Sequence, residues 1–432
     1  MNAHSVAVVW LVRRWIALVL AVGLLVLPGC GGGSSPSNGS SPSSGSSPNS
    51  SSLRSPYAAI TGPNVQPIAV NGDFAYGYPN DVLTSVTICV PGTATCQTIP
   101  NILVDTGSSG LRIISSQLDL ALPAVMSGST PLGECVEFVD SYVWGPVVTA
   151  DVAIADEKAA AVPIQMLGSP DFAAPPSLCS SSGLPEQDTV ESFGANGVLG
   201  VGLFAYDCGP ACMPQSAATP AIYYSCPSAS APCTPTAVPL ANQVQNPVWR
   251  FPQDNNGVII SLPPVAASGV ASVAGTVVFG IGTASNNGLG SAQVYTTDAQ
   301  GSFITVYQGK AYPGSYLDTG TSVLALLDPV TLGIPLCAAN TATGGLYCPS
   351  TTVSATATTQ GANGAIGTVG FSIANANTLA SPPNWAFNDV ATPFGAAPEA
   401  FVWGLPFFFG RNVFVAIEGQ STPAGVGPYW AY

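Results

Sequence analysis

The stretch ILVDTGSSGLRI at residues 102–113 has a near copy later in the same chain, SYLDTGTSVLAL at residues 315–326. In each copy Asp-Thr-Gly comes directly after an apolar run. Asp, Gly and Ser are common in ordinary turns, so a turn alone could explain one copy. Two copies with similar flanks are a stronger signal than one short motif, and they call for a common structural cause.

A second feature repeats at a similar distance from each copy. Gly200 in NGVLGVGLF follows Asp105 by 95 residues, and Gly404 in FVWGLPFFFG follows Asp318 by 86 residues. Each half of the chain therefore pairs an Asp-loop with a later strand of the form apolar-apolar-Gly. This repeated spacing predicts two copies of one lobe.

The pattern of apolar residues predicts an all-β fold. Short runs rich in Val, Ile, Thr and Phe, such as SVTICV, TVVFGIG and NVFVAIE, are separated by clusters of Gly, Pro, Asn and Ser. The 47 glycines and 40 prolines leave few places for a long helix. A chain of 432 residues is long enough for two lobes with their own cores. We expect two pseudo-symmetric lobes and few short helices.

Residues 1–29 have the features of an export signal. Arg13 and Arg14 precede WIALVLAVGLLVL, an apolar run of 13 residues that is too short to span a bilayer. A permanent transmembrane helix is therefore the weaker interpretation. The segment LVLPGC, which ends at Cys30, resembles the lipobox of bacterial lipoproteins. This resemblance implies cleavage before Cys30 and lipidation of its thiol.

Residues 30–56 follow as a Ser-, Pro- and Gly-rich tether that cannot bury enough apolar surface to fold. As a flexible coil, the tether would separate the lipid anchor from the folded part by roughly 28 Å. Gly31, directly after the cysteine, resembles the sorting signal for the outer membrane. We expect a lipid anchor in the bacterial outer membrane, on its periplasmic or cell-surface side. A freely secreted protein is the alternative.

The charged residues exclude several classes of function. Cleavage after residue 29 would remove His4, the single histidine, which excludes a Ser-His-Asp triad and a histidine-ligated zinc site. Loss of Arg13 and Arg14 would leave 22 acidic and six basic residues. This balance argues against nucleic acid as a partner and against membrane contact beyond the N-terminal lipid. The excess of acidic residues favours activity at lowered pH, or it is simply typical of an exported β-rich protein.

Cysteine usage indicates an oxidising compartment. With Cys30 assigned to lipid, ten cysteines remain, and an even number in an exported chain suggests five disulfides. That context argues against metal ligation, so we expect no metal and no cofactor. Sequence alone does not fix the connectivity. Our hypothesis is the pairing Cys89–Cys96, Cys135–Cys179, Cys208–Cys212, Cys226–Cys233 and Cys337–Cys348.

Five segments, in order, resemble the pepsin-like aspartic peptidases, which are bilobal all-β enzymes with one catalytic Asp in each lobe. They are ICVPGTATCQTIPNILVDTGSSGLRI, ANGVLGVG, NNGVIISLP with AGTVVFGIGTASNNGLGSAQVYTTD, YLDTGTSVLAL, and FVWGLPFFFGRNVFVAIEG. The resemblance covers roughly residues 80–432. It implies a central cleft between an N-terminal lobe, residues 57–262, and a C-terminal lobe, residues 263–432. The signal, tether and first hairpin further resemble a bacterial lipoprotein group carried only as a domain of unknown function, which implies no activity.

By this resemblance Asp105 and Asp318 are the catalytic pair. Two carboxylates about 3 Å apart cannot both ionise, so they would share one proton. One would take a proton from a water molecule while the other protonates the substrate carbonyl oxygen. The resemblance implies supporting roles in the loops: Thr106 and Thr319 bonding across the lobe interface, Ser108 and Thr321 orienting the outer carboxylate oxygens, and Gly107 and Gly320 allowing a tight turn.

The chain departs from the family at the flap over the cleft. The family has a flap Tyr, and a Trp after the first Asp-loop as its partner; alignment puts Phe138 and Arg112 at these positions. Tyr142 or Trp144 covers the substrate instead, or these aromatic residues belong to the core. Arg112 either lies near the Asp pair, where it would lower the pKa of the carboxylates, or pairs with Asp140 without catalytic effect.

Residues 205–237 resemble an insertion and contain four cysteines. A cross-linked surface loop that stabilises the fold is the default interpretation. The alternative is that the insertion borders the cleft and narrows the choice of substrate.

The sequence therefore favours an aspartic endopeptidase, anchored to the bacterial envelope, that acts as a monomer on peptide or protein substrates. The alternative is a non-catalytic binding or structural module, since a fold alone does not establish a function. Carbohydrate hydrolysis by paired carboxylates is disfavoured, because glycosidase carboxyl groups lie about 5 Å or more apart.

Overall fold

The computed structural model describes residues 59–172, 174–214, 220–227, 232–380, 384–394 and 399–432. The predicted signal peptide, Cys30 and the tether up to residue 56 lie outside the described residues. Within the described ranges, no helix is long and apolar enough to cross a membrane.

Strands dominate the described chain, and several show the two-residue alternation of a half-buried strand. The strands up to residue 262 are β1 (Val65–Val70), β2 (Leu83–Cys89), β3 (Cys96–Asp105), β4 (Ser109–Ile114), β5 (Met126–Ser127), β6 (Thr130–Glu137), β7 (Tyr142–Ile154), β8 (Glu157–Leu167), β9 (Gly197–Val201), β10 (Tyr223–Ser225), β11 (Thr234–Pro235) and β12 (Gly257–Leu262).

The remaining strands are β13 (Val273–Phe279), β14 (Val294–Thr296), β15 (Phe303–Tyr307), β16 (Lys310–Leu317), β17 (Leu324–Leu326), β18 (Val353–Gln360), β19 (Ile366–Ile373), β20 (Ala391–Pro393), β21 (Val402–Trp403), β22 (Arg411–Ala416), β23 (Ser421–Thr422), β24 (Gly425–Val426) and β25 (Tyr429–Ala431). The α-helices of the described residues are α1 (Val190–Phe193), α2 (Pro329–Leu332), α3 (Ala376–Leu379) and α4 (Leu405–Phe408). This content confirms the prediction of an all-β protein with few short helices.

Local capping explains why the helices are short. At α2 the Asp328 side chain accepts hydrogen bonds from two amides of the first turn, and Gly333 ends the helix in the left-handed conformation with φ of 67°. A cap at each end of four residues leaves room for one turn only.

The two halves of the chain share one run of six antiparallel strands. Its order is β1-β13-β12-β22-β25-β14, within a sixteen-stranded sheet. The predicted lobe boundary at residues 262 and 263 falls between β12 and β13, which are neighbours in this shared sheet. The lobes are therefore joined by backbone hydrogen bonds, rather than by a flexible linker.

Each lobe adds strands of its own to this base. In the first lobe the sheet continues from β1 through β2, β3, β9, β4, β8, β7, β6, β10 and β11. The second lobe has a separate seven-stranded sheet in the order β19-β18-β15-β16-β21-β17-β20. The largest apolar cluster includes residues of both lobes, among them Val104 and Leu317, which directly precede the two Asp-Thr-Gly motifs.

The same three-strand arrangement occurs once in each lobe. In the first lobe β3 runs parallel to β9, while β4 runs antiparallel to β9. In the second lobe β16 runs parallel to β21, while β17 runs antiparallel to β21. Asp105 ends β3, and Asp318 directly follows β16. The repeated motif of the sequence thus corresponds to a repeated local topology.

Glycine is required within the central strand of the first arrangement, at Gly200 in β9, and directly after that of the second, at Gly404. A Cβ atom at Gly200 would lie 2.8 Å from the backbone nitrogen of Ser109, and one at Gly404 would lie 2.0 Å from the carbonyl oxygen of Val323. Both neighbours are backbone atoms at the point where the chain leaves the Asp-loop for β4 or β17, so they cannot easily move aside. The close approach explains why the glycine repeats with the motif.

Five disulfides join the same pairs of cysteines as the hypothesis from sequence. The longest loop is closed by Cys135–Cys179, with a separation of 44 residues. Closing a loop of that length stabilises a fold by about 4 kcal/mol in the chain-entropy model. This disulfide ties β6 to the segment that follows β8.

Candidate active site

Hydrogen bonds run in both directions between the two Asp-loops. The Thr106 hydroxyl donates to the carbonyl oxygen of Leu317 at 3.1 Å, and the Thr319 hydroxyl donates to the carbonyl oxygen of Val104 at 2.7 Å. In return, the Thr106 amide donates to the Thr319 hydroxyl at 3.1 Å, and the Thr319 amide donates to the Thr106 hydroxyl at 3.0 Å. Because both threonines are buried, these bonds hold the loops face to face.

Asp105 is held by its own loop at the end of β3. Its Oδ1 accepts the Gly107 amide at 2.8 Å, and its Oδ2 accepts the Ser108 hydroxyl at 2.5 Å. The side chain is fully buried, with an exposed fraction of 0%. Both carboxyl oxygens are thus oriented by groups within three residues of Asp105.

Asp318 has the matching set of bonds in the second lobe. Its Oδ1 accepts the Gly320 amide at 2.8 Å, and its Oδ2 accepts the Thr321 hydroxyl at 2.6 Å. Burial raises the pKa of Asp318 well above its usual value, and the charge of Asp105 raises it further. Burial and mutual repulsion disfavour ionisation of both carboxyl groups at once. Asp318 therefore keeps its proton at a pH where an ordinary Asp is ionised.

The hairpin that aligns with the family's flap consists of β6 and β7, with its turn at residues 138–141. At this turn the Phe138 amide donates to the carbonyl oxygen of Ser141 at 2.8 Å. The Phe138 ring is buried in an apolar cluster of the first lobe with Val143 and Phe193. Phe138 is therefore a core residue at the position where the family has its flap Tyr.

Tyr142 and Trp144 also lie in the core. They belong to a cluster that contains both sulfurs of the Cys135–Cys179 disulfide. The Trp144 indole donates to the carbonyl oxygen of Phe172 at 2.8 Å. Of the two alternatives left open by the sequence, covering the substrate or packing in the core, the structure places both aromatic side chains in the core.

Arg112 is in a different environment from the two that its sequence position suggested. Its guanidinium forms ion pairs with Glu134 at 2.9 Å and with Asp207 at 3.1 Å, so the expected pairing with Asp140 is replaced by two other partners. The causes of the pKa shift at Asp318 are burial first, then Asp105 and groups of the second loop. Arg112 forms ion pairs with buried carboxyl groups beside the hairpin.

The insertion, residues 205–237, widens the hairpin into a larger sheet. β10 pairs with β6, with Tyr223 opposite Glu134, and β11 pairs with β10. The packing is close, because a Cβ at Gly133 would lie 2.6 Å from the Trp144 ring and 3.2 Å from the sulfur of Cys226. The described part of the insertion is therefore built onto the hairpin, and it is not a free surface loop.

Tyr316 is a further residue of the site, and sequence reasoning missed it. It precedes Asp318 by two residues, and alternate residues of a strand face the same side. Burial, followed by the charges of Asp318 and Asp105, raises the pKa of the Tyr316 phenol well above its usual value. The phenol therefore stays protonated beside the Asp pair. The two-residue spacing was the signal that could have found it.

The hairpin turn reaches from the first lobe to the second. Val139 at this turn packs against the same apolar cluster as Tyr316, a cluster of the second lobe formed by Ala325, Phe394, Ala400 and Val402. The hairpin therefore spans the space between the lobes on the side where Tyr316 lies.

The fold and the sequence were both compared with those of known proteins. Among solved structures, the aspartic proteinase from Irpex lacteus is similar to this chain, with a TM-score of 0.48 and 14% sequence identity over 85% of this chain and 96% of that chain. No curated protein matches the sequence. A family model described as a protein of unknown function, DUF3443, matches residues 61–432. The chain therefore belongs to the DUF3443 family.

Proposed function

We propose that this protein is an aspartic endopeptidase, which hydrolyses peptide or protein substrates with a water molecule activated by Asp105 and Asp318. The observation that carries the proposal is the reciprocal bonding of Thr106 and Thr319, which sets two similar Asp-loops face to face. Two coupled carboxyl groups of different proton affinity can supply an acid and a base at once. The reaction needs no metal and no other cofactor.

We assign the proton of the pair to Asp318, because burial and the charge of Asp105 raise its pKa. Asp105 then acts as the base. Asp105 takes a proton from water as the water oxygen bonds to the substrate carbonyl carbon, and Asp318 gives its proton to the carbonyl oxygen. The product of this step is a neutral gem-diol.

The second step restores both carboxyl groups. Asp105 gives its proton to the amide nitrogen, the carbon–nitrogen bond breaks, and a gem-diol hydroxyl returns a proton to Asp318. The products are a carboxylic acid and an amine. The hydrogen bonds of each carboxyl group to its own loop hold it in one orientation, so little reorganisation is needed between the steps.

We further propose that a lipid on Cys30 anchors the enzyme to the bacterial outer membrane, with free secretion as the alternative. The export signal, the lipobox-like LVLPGC and the tether at residues 31–56 support this location. Cys30→Ser should release the protein from the membrane fraction. Recovery of the wild-type protein with an unmodified N-terminus in the soluble fraction would favour secretion.

The experiment for the activity uses the full chain, purified with its disulfides intact. Cleavage of a diverse peptide library is followed between pH 3 and 7 for the wild type, Asp105→Asn and Asp318→Asn. We expect cleavage by the wild type at acidic pH and a loss on the order of a thousandfold in both variants.

A non-catalytic binding module is the second candidate. Both Asp side chains have an exposed fraction of 0%, and the hairpin turn packs on the second lobe. A cleft closed in this way suits a module that hydrolyses nothing. A folded wild type that cleaves no library peptide at any pH would make this candidate the better one.

A further inference from the structure

A buried cluster of polar groups joins the first Asp-loop to the hairpin and to the insertion. Arg112 donates through Nε to Gln165 at 3.0 Å, through Nη1 to the carbonyl oxygen of Ser109 at 3.0 Å, and through Nη2 to Glu134 at 2.9 Å and Asp207 at 3.1 Å. These partners lie on β8, at the end of the Asp-loop, on β6 and in the insertion. One guanidinium therefore connects four separate segments around the site.

The two carboxyl groups that share this guanidinium have different surroundings. Asp207 accepts hydrogen bonds at both oxygens, from the Tyr223 hydroxyl at 2.7 Å and from Arg112. Glu134 accepts from Arg112 at Oε1, while its Oε2 accepts from no described group. The nearby charge of Asp207 also raises the pKa of Glu134. Because Oε2 of Glu134 accepts no hydrogen bond from the described residues, a proton on this oxygen displaces no donor among them.

Charge balance in the buried interior supports this assignment. One guanidinium can neutralise one carboxylate, and a second buried carboxylate would remain uncompensated. Burial raises the pKa of Glu134 well above its usual value, against the lowering effect of Arg112. Tyr223 does not titrate near neutral pH, because burial raises the pKa of its phenol well above its usual value. The buried arrangement therefore favours a proton on Glu134.

We propose that Arg112 is a positioning residue that holds the β6–β7 hairpin over the Asp pair, with Asp207 as its counter-ion and Glu134 as its neutral hydrogen-bond partner. The insertion then belongs to the architecture of the site, because it supplies both Asp207 and Tyr223. Only the effect on substrate rests on the proposed function; the effect on the hairpin does not.

Amide hydrogen exchange on the full chain, with disulfides intact, tests positioning without reference to activity. In Arg112→Met the amides of β6 and the first half of β7 should exchange about tenfold faster or more, while those of β12 and β22 in the shared sheet keep their rates. Lys158→Met is the matched control. It removes a half-exposed ion pair with Asp151 on β7 and β8, and all rates should stay within about twofold of the wild type.

Substitution of the two carboxyl groups tests the charge assignment. Glu134→Gln keeps a neutral side chain of the same shape, so hairpin exchange should not change. In Asp207→Asn, Glu134 becomes the single counter-ion, and protection of the hairpin should increase with pH as Glu134 ionises. The double variant leaves Arg112 without a counter-ion, and its hairpin should exchange as fast as in Arg112→Met at every pH.

Two results of the exchange experiments would overturn the proposal. One is an equal rise in exchange across the whole first lobe in Arg112→Met, because that is loss of general stability. The other is a Glu134→Gln variant as perturbed as Asp207→Asn, because then Glu134 carries charge. These conclusions stand even if the wild type cleaves no peptide.

Peptide cleavage adds the functional readout. Arg112→Met should raise KM about tenfold with a smaller change in kcat, because a displaced hairpin would affect the binding of substrate more than the two carboxyl groups, which keep their own loop bonds. Glu134→Gln should leave both constants unchanged. An Arg112→Met variant that loses kcat alone would contradict a positioning role through the hairpin.

Discussion

Thr106 and Thr319 each donate a side-chain hydrogen bond to the strand that carries the other lobe's aspartate, at 3.1 and 2.7 Å. Each hydroxyl also accepts the other residue's amide. Loss of one hydroxyl therefore leaves a buried carbonyl and a buried amide without partners. The relative position of the two carboxyl groups depends on contacts between the lobes as much as on either lobe.

Thr319→Val tests these contacts. The free energy of unfolding should fall by about 1–3 kcal/mol, since the Thr106 amide and the Val104 carbonyl lose their partners in the interior. Urea unfolding measures this change. Thr87→Val is the control, because it removes an exposed hydroxyl pair with Thr98 at 2.8 Å and should cost no more than a few tenths of a kcal/mol. An unchanged urea midpoint in Thr319→Val would show that the contacts do not stabilise the fold.

The raised pKa of Asp318 also predicts how stability depends on pH. Above the usual value of 3.8 the unfolded chain releases this proton, while the folded state keeps it to a higher pH. The folded state then binds more protons than the unfolded one, so stability falls as pH rises through this window. Asp318→Asn removes the effect, so its stability relative to the wild type should be greater at pH 7 than at pH 4. Parallel curves of thermal midpoint against pH for the two proteins would contradict the raised pKa.

Asp389 should contribute a second, separate loss of stability. Its side chain is buried, neither oxygen bonds to a described group, and burial raises its pKa to about 6. In this pH range the folded state again binds more protons than the unfolded chain. Stability should therefore fall between pH 4 and 6, by at most about 3 kcal/mol. Asp389→Asn should abolish this part of the pH dependence in thermal unfolding. If the double variant of Asp389→Asn and Asp318→Asn gains no more thermal stability at pH 7 than either single variant, the two carboxyl groups do not titrate independently.

The location of Asp389 connects its ionisation to the site. The next residue, Val390, accepts the Leu324 amide at 3.0 Å through its carbonyl oxygen, and Leu324 begins the strand that leaves the second Asp-loop. We therefore expect local exchange at β17 to increase in the wild type above pH 6, and to stay constant in Asp389→Asn.

Tyr316 should act on substrate binding through its ring. Tyr316→Ala removes the ring beside the Asp pair and should raise KM about tenfold, whereas Tyr316→Phe keeps the ring and should leave KM within about twofold. Steady-state kinetics of both variants measures this difference. Equal defects in the two variants would show that the hydroxyl group matters and the ring does not.

The parts of the fold that depend on local pattern and repetition were predictable from sequence. The repeated Gly200 and Gly404 predicted a duplicated lobe because each must let a strand pass close to an Asp-loop. The pairing of neighbouring cysteines was also predictable, because the ends of a short loop meet at little entropy cost. The reciprocal threonine bonds were expected from family resemblance, since no local pattern shows which loops meet.

The environment of Arg112 was not predictable in this way. Its carboxyl partners, Glu134 and Asp207, are 22 and 95 residues away in sequence. Asp207 reaches Arg112 only because β10 adds to the edge of β6, and edge pairing of a three-residue strand leaves no periodic signal. The sequence suggested Asp140 as the ion-pair partner of Arg112, whereas the guanidinium pairs with Glu134 and Asp207.

The first strand of the fold has its main partner far along the chain. In β1, Val65 lies opposite Val278 of β13, whereas contact with the nearby β2 is one residue pair, Ala69 opposite Leu83. Contacts of such long range form slowly, because a large loop must close before they stabilise anything. During synthesis β1 therefore lacks its main partner until β13 has left the ribosome. A chain interrupted between the lobes would expose open sheet edges on both pieces, where other chains can pair and aggregate.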